Sequence, residues 1–214
     1  MMQTRFAEYK LFFREFLWNF HTTGAVLPSG PWLASALVHF VDQPAVSPRR
    51  ILEIGPGTGA VTRRIVAALG PHDQLDLVEL NGNFVRALNH RFATEPAFQA
   101  VAPRSRVLHC PLEELPHGTR YDLIISGLPL NNFAAGQVKR ILRSIGQLAN
   151  PGSTFSFFEY IAVRPARAIV SGRSERLRLR GIGRTLGRLL DGSEIRRDWI
   201  WPNLPPAWVH HVRM

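Results

Sequence analysis

The chain has little cysteine, little lysine and no long apolar run. One of its 214 residues is cysteine, Cys110. That excludes an internal disulfide and a cysteine-rich zinc site, and it fits a reducing compartment. No apolar run approaches the ~20 residues of a spanning helix. Charges scattered through residues 5–15 leave no signal-peptide order at the N-terminus. No cluster of histidine, cysteine and acidic residues suggests a metal, and none is expected. Lysine occurs only at Lys10 and Lys139. The positive charge is therefore nearly all arginine, whose planar fork makes paired hydrogen bonds to phosphate.

What is present is a globular composition, 45% hydrophobic and 20% charged, with a formal net charge of +10. Such a chain is drawn to polyanions, either nucleic acid or an anionic lipid surface. From about residue 50, short apolar runs alternate with helical patterns. RRILEI, DQLDLVEL, SRVLHC, YDLIIS and STFSFFEY predict strands. TGAVTRRIVAAL, NFVRALNHRFA and GQVKRILRSIGQLA predict helices, the last ending at Asn150-Pro151-Gly152. This alternation predicts an α/β protein with a mostly parallel sheet covered on both faces. EIRRDWIW and AWVHHVRM flank a turn-rich ProAsnLeuProPro and predict a C-terminal antiparallel hairpin, bringing the sheet to seven strands. Residues 1–44 and an arginine-rich insertion over about 164–194 lie outside the alternation.

LEIGPGTGA, residues 52–60, follows a strand and opens a helix. Gly55, Gly57 and Gly59 let the backbone approach a ligand with no Cβ in the way. Twenty residues after Gly59, at the end of the second strand, Glu79 is placed to accept both hydroxyls of a ribose. Glu53 is placed for a cationic ammonium near the first turn. No lysine follows the glycines, so a phosphate-binding P-loop is not expected.

These features resemble the class I S-adenosylmethionine-dependent methyltransferases, which have a Rossmann-like fold. The resemblance implies S-adenosylmethionine as cofactor, with contacts from Glu53, Gly55, Gly57, Thr58, Gly59, Glu79, Leu80 and Ser126. It departs after the third strand, where such enzymes usually carry an acid for the adenine amino group. Here the segment is HCPLEEL, with Pro111 in the acid's place. Backbone amides around Leu112 and Glu113, or the side chains of Glu113 or Glu114, remain the alternatives.

ISGLPLNNF, residues 125–133, closes the fourth strand. Amine-directed methyltransferases often hold Asn-Pro-Pro-Tyr or Asn-Leu-Pro-Tyr here. Gly127 replaces the asparagine and Leu130 the tyrosine, so a planar base loses its hydrogen-bond partner and its stacking ring. Gly127, Leu128, Pro129 and Leu130 are expected to form an apolar lip suited to an alkylamine on a greasy tail.

Residues 1–22 predict an N-terminal amphipathic helix. Met2, Phe6, Tyr9, Phe13, Phe16, Leu17 and Phe20 share one face, suited to the membrane interface or to core packing. RSERLRLRGIGRTLGRLL, residues 173–190, places Arg176, Arg180, Arg184 and Arg188 on one side. Leu179, Ile182, Leu186 and Leu189 fall on another, as in a membrane-surface element. A basic face for RNA phosphates is the alternative.

NFHTTGAVLPSG, LEIGPGTGAVT, ISGLPLNNF, PGSTFSFFEY and NLPPAWV, in that order, resemble the bacterial phospholipid N-methyltransferases over nearly the whole chain. The resemblance implies one methyltransferase domain over residues 23–214. It implies methylation of phosphatidylethanolamine and its methylated intermediates toward phosphatidylcholine. The partners expected are the phospholipid substrate and an anionic membrane surface, not nucleic acid. The location expected is cytoplasmic, peripheral on the inner face of the membrane. The segment after His21 is expected to fold over the cofactor, adding Gly24 and Val26 to its contacts. Proton acceptance falls to His21, Glu159 or Tyr160, and Arg164 and Arg167 would hold the lipid phosphate. An rRNA adenine N6-dimethyltransferase-like activity is the alternative. A non-enzymatic binding protein with a relict glycine loop is the third reading, against which intact Glu53 and Glu79 weigh.

Overall fold

The computed structural model describes residues 30–116, 118–130, 133, 135–161, 181, 183, 184, 186–203 and 205–214. Strands β1 (Arg50–Ile54), β2 (Gln74–Val78), β3 (Ser105–Leu108), β4 (Tyr121–Ser126), β5 (Ala149–Tyr160), β6 (Glu194–Ile200) and β7 (Ala207–Arg213) form one sheet. Its order is β3-β2-β1-β4-β5-β7-β6. The β1 to β5 neighbours pair in parallel, and β7 runs antiparallel to both β5 and β6. This is the expected Rossmann-like sheet with its C-terminal hairpin. The chain leaves β1 first toward β2 and β3, then returns to β4 on the other side. That reversal opens a crevice at the carboxyl ends of β1 and β4, where ligands bind in open α/β sheets.

The central strands are apolar on both faces because helices cover both. Ile51 packs with Leu33 and Leu37 of α1 (Pro31–Leu37) and with Val61 and Ile65 of α2 (Ala60–Ala68). On the opposite face Leu52 and Ile54 meet α5 (Ala135–Leu148), whose Val138, Ile141, Ile145 and Leu148 recur at helical spacing. Helix α3 (Gly82–Thr94) starts where the Asn83 amide donates to Asn81 Oδ1 at 2.9 Å. A short α4 (Pro96–Gln99) begins at a proline whose missing N–H costs nothing at a first turn. It carries the buried Phe98. Strand β5 begins directly after α5, so Asn150-Pro151-Gly152 lies inside its assigned span and not in a loop.

Arg49 latches the segment after α1 to the sheet. Its guanidinium donates to the carbonyls of Phe40, Val41 and Gln43 and to both oxygens of Asp73. Burial pushes the Asp73 carboxyl up, but bonds from Arg49 and the Gly70 amide outweigh it and hold the group below the usual range. At the other end of the sheet His211 is fully buried, with Nδ1 2.7 Å from Ser156 Oγ and Nε2 3.4 Å from Asp198. Burial lowers its pKa to about 4, so the ring is neutral packing material in the β5–β7 seam.

The described residues between 181 and 190 are helical. Leu186 is buried in the core on the α5 side, and Leu189 and Leu190 pack against it. This corrects the expected lipid-facing leucine stripe at its C-terminal end: Leu186 and Leu189 pack with the core, while Arg184 and Arg188 face solvent. The N-terminal amphipathic helix and residues 164–180 lie outside the described residues. No helix among the described residues is long and apolar enough to cross a membrane.

Candidate cofactor site and acceptor rim

The glycine loop joins β1 to α2. Gly55, Gly57 and Gly59 all have positive φ, at 66°, 57° and 83°. Glu79 is buried at the end of β2, and its carboxylate ties two backbones together. Oε2 accepts from Gly57 N at 3.0 Å and Oε1 from Asn81 N at 2.8 Å. Each carboxylate oxygen has a further lone pair, so acceptor capacity remains for a diol. Burial raises the Glu79 pKa, partly offset by the bonds from Asn81 and Gly57.

Glu53 is fully buried, yet neither carboxylate oxygen has a hydrogen-bond partner among the described residues. It lies on the face of β1 opposite Leu52 and Ile54. Burial raises its pKa to about 8; the nearby Thr62 hydroxyl opposes this without reaching full hydrogen-bond geometry, and Glu79 adds to it. A buried carboxyl without a partner is costly and calls for a cation or donors. An aminoacyl ammonium would meet that need. We therefore expect cofactor binding at pH 7 to release up to about one proton, read as a calorimetric enthalpy that varies with the buffer. Because the free site's pKa is raised, affinity should climb as pH rises from 6 to 8. Glu53→Gln should abolish both effects, whereas a buffer-independent enthalpy in the parent protein would place the ammonium elsewhere.

Beside the loop lies a largely apolar pocket. Of the expected contacts, Gly55, Glu79, Leu80, Leu112 and Leu128 line it. Phe133, at the end of ISGLPLNNF, lines it too, as do Cys110, Gln137 and Ile141, which had no sequence signal because the segment after β3 and the helix α5 bring them there from distant stretches. Among the alternatives after β3, Leu112 and Glu113 reach the wall and Glu114 does not. Thr58 is exposed on the loop. Ser126 is buried and serves its own turn, its hydroxyl 3.4 Å from Leu128 O and accepting from Leu128 N at 3.2 Å.

The rim differs from expectation in one more place. Gly127 and Leu128 are half-buried beside the pocket, but Pro129 is buried and Leu130 fully so, inside the core around α5. Leu130 is a packing residue and not a substrate contact. The glycine at 127 is a steric requirement. A Cβ there would stand 2.6 Å from the Gly55 carbonyl oxygen, because Gly127 N donates to Ile54 O at 2.9 Å and holds the two turns together.

Of the proton-handling candidates, Glu159 and Tyr160 are consecutive on β5 and so point to opposite faces. Tyr160 packs in the core on the α1 side, and burial pushes its pKa up to about 12. Glu159 is half-buried. His21, Gly24, Val26, Arg164 and Arg167 lie outside the described residues. No metal-binding group of acids, histidines and cysteine occurs among the described residues.

Comparison with known proteins agrees with this geometry. Residues 52–155 match the model of a methyltransferase domain. An ornithine lipid N-methyltransferase of Singulisphaera acidiphila is 29% identical over 150 residues, covering 70% of this chain and 76% of that one. A ribosomal RNA small subunit methyltransferase A of a Synechococcus is 32% identical over 139 residues, covering 60% of this chain and 47% of the relative. The chain thus spans less than half of that enzyme's length. Among solved structures, the O-methyltransferase TomG of Streptomyces achromogenes, in complex with SAM, superposes with a TM-score of 0.58 at 18% identity, over 89% of this chain and 82% of that one. An O-methyltransferase of Bacillus cereus, in complex with SAH, gives 0.58 at 16% identity, over 94% and 90%. At such identities the likeness is one of fold.

Proposed function

We propose, from the premise that this chain is an S-adenosylmethionine-dependent methyltransferase of the class I fold, that its acceptor is an amine carried on a lipid. The acceptor we favour is phosphatidylethanolamine with its methylated intermediates, on the way to phosphatidylcholine. One observation carries the choice. At residue 127, where a base-directed turn would present an amide side chain, the Gly55 carbonyl leaves no room for any side chain. The ring that would stack on a base is replaced by Leu130, sealed in the core.

The described residues fit the cofactor: Glu79 has capacity for the ribose hydroxyls, and Glu53 has unpaired oxygens for a cation. Bound S-adenosylmethionine supplies an electrophilic methyl group. The protein's part is then to hold an amine lone pair in line, and positioning of that kind is worth up to ~7–11 kcal/mol. Leu112, Leu128 and Phe133 keep water from the site, and the net charge of +10 draws anionic headgroups toward it. The 29% identical relative is by its name a lipid N-methyltransferase, which supports the same acceptor class. On this reading the protein works peripherally, on the inner face of the membrane.

The test is incubation with vesicles containing phosphatidylethanolamine, ornithine lipid, or phosphatidylcholine alone, followed by mass spectrometry of the lipids. Methylated ethanolamine headgroups are expected. Methylation of ornithine lipid alone would keep the acceptor class and replace the headgroup, and no methylated lipid in any mixture would end the proposal.

A further inference from the structure

Three indoles form a row at the outer edge of the sheet. Trp199 lies on β6, an edge strand, Trp201 lies just past its end, and Trp208 of β7 is directly across from Trp199. Trp199 stacks on Trp201 with ring centroids 4.7 Å apart and on Trp208 at 4.8 Å. The Arg197 guanidinium lies over Trp208 at 5.1 Å. Trp199 and Trp201 are nevertheless 50% and 62% exposed. A fourth indole, Trp32, is 64% exposed at the start of α1. It flanks the same turn, because Gly30 N donates to Asn203 Oδ1 at 3.2 Å. Nothing in the pocket or the glycine loop uses these residues, and solvated tryptophans in such a group mark an interaction surface.

The geometry points to this indole row as the element that seats the protein on an anionic lipid interface. Trp199, at the centre of the row, is stacked on both Trp201 and Trp208, and Arg197 lies over Trp208. The indoles offer solvent an apolar body with an N–H donor, the arrangement suited to the headgroup level of a bilayer. A platform for single-stranded nucleic acid needs open ring faces on which bases stack, and the faces of Trp199 are taken by its two neighbours. Charge fits the lipid too. Arg197 lines a shallow groove with Arg184 and Arg188, where they outnumber Asp191 and Glu194. Trp208 is the strand partner of Glu159, near the carboxyl end of β5. The row therefore sits at the edge of the sheet where the parallel strands end and the ligand crevice opens.

This inference rests on the lipid reading of the acceptor, and its test separates the two. Full-length protein is sedimented with vesicles of equal parts phosphatidylglycerol and phosphatidylcholine. Trp199→Ala with Trp201→Ala should weaken partitioning at least about tenfold, since each indole buries ~150–250 Å². Trp32→Ala should weaken it by a smaller step. Cofactor binding by calorimetry should stay unchanged, showing the variants folded. Unchanged sedimentation of the double variant would overturn the anchor, as would loss of binding to a single-stranded RNA oligonucleotide with vesicle binding intact. Indole-dependent sedimentation without transfer to any lipid amine would leave the anchor standing and end the acceptor reading.

Discussion

Replacing Glu79 by alanine is expected to weaken S-adenosylmethionine binding about a hundredfold. The carboxylate is buried and accepts the amides of Gly57 and Asn81, so it shapes the glycine loop and the entry to α3 together. Hydrogen bonds to a charged group are worth ~1.5–3 kcal/mol each, and losing acceptors for two hydroxyls amounts to about 3 kcal/mol, or two decades. A brace without ligand contact would also weaken binding on removal, so a second readout is needed. The parent protein should prefer the intact ribose over a 2′-deoxy analogue about tenfold, whereas Glu79→Ala should bind the two alike. Calorimetry with both ligands decides between brace and contact.

The second large effect belongs to Gly127. Its substitution by alanine places a Cβ 2.6 Å from the Gly55 carbonyl oxygen, a backbone atom with no side-chain freedom. One of the two turns must move, at a cost of ~1–3 kcal/mol for overpacking, and the turn that moves carries the cofactor loop. Stability should fall by about that amount and cofactor affinity should fall at least tenfold. Gly55→Ala meets a different obstacle, Leu128 Cδ2 at 2.3 Å, on a backbone at φ 66°. Leu128 is the end of a side chain, so Leu128→Ala should partly rescue Gly55→Ala, leaving the ~1–2 kcal/mol of left-handed strain. The same second change should not rescue Gly127→Ala. Rescue of both by Leu128→Ala, in denaturant melts, would mean that the carbonyl is not the barrier.

These residues show how far the sequence could be read. Apolar runs and glycine punctuation are local signals, so the seven strands, the loop after β1 and the acid after β2 were all legible. Gly127 was legible only as a missing amide. That it must be glycine depends on a carbonyl 72 positions earlier, a contact set by the β1–β4 register. Leu130 reads as a lip residue because it follows a proline turn, but the fold turns it inward against α5. Cys110, Gln137 and Ile141 meet only because the segment after β3 and the first turns of α5 lie beside one crevice.

The measurement closest to the central claim is a competition. Full-length protein with labelled S-adenosylmethionine is offered phosphatidylethanolamine vesicles and small-subunit rRNA in one tube, and the products are separated. A rim with no space for an amide beside Gly55 predicts label in the lipid headgroup and none in RNA. Label in adenine, with the lipid fraction blank, would contradict the account.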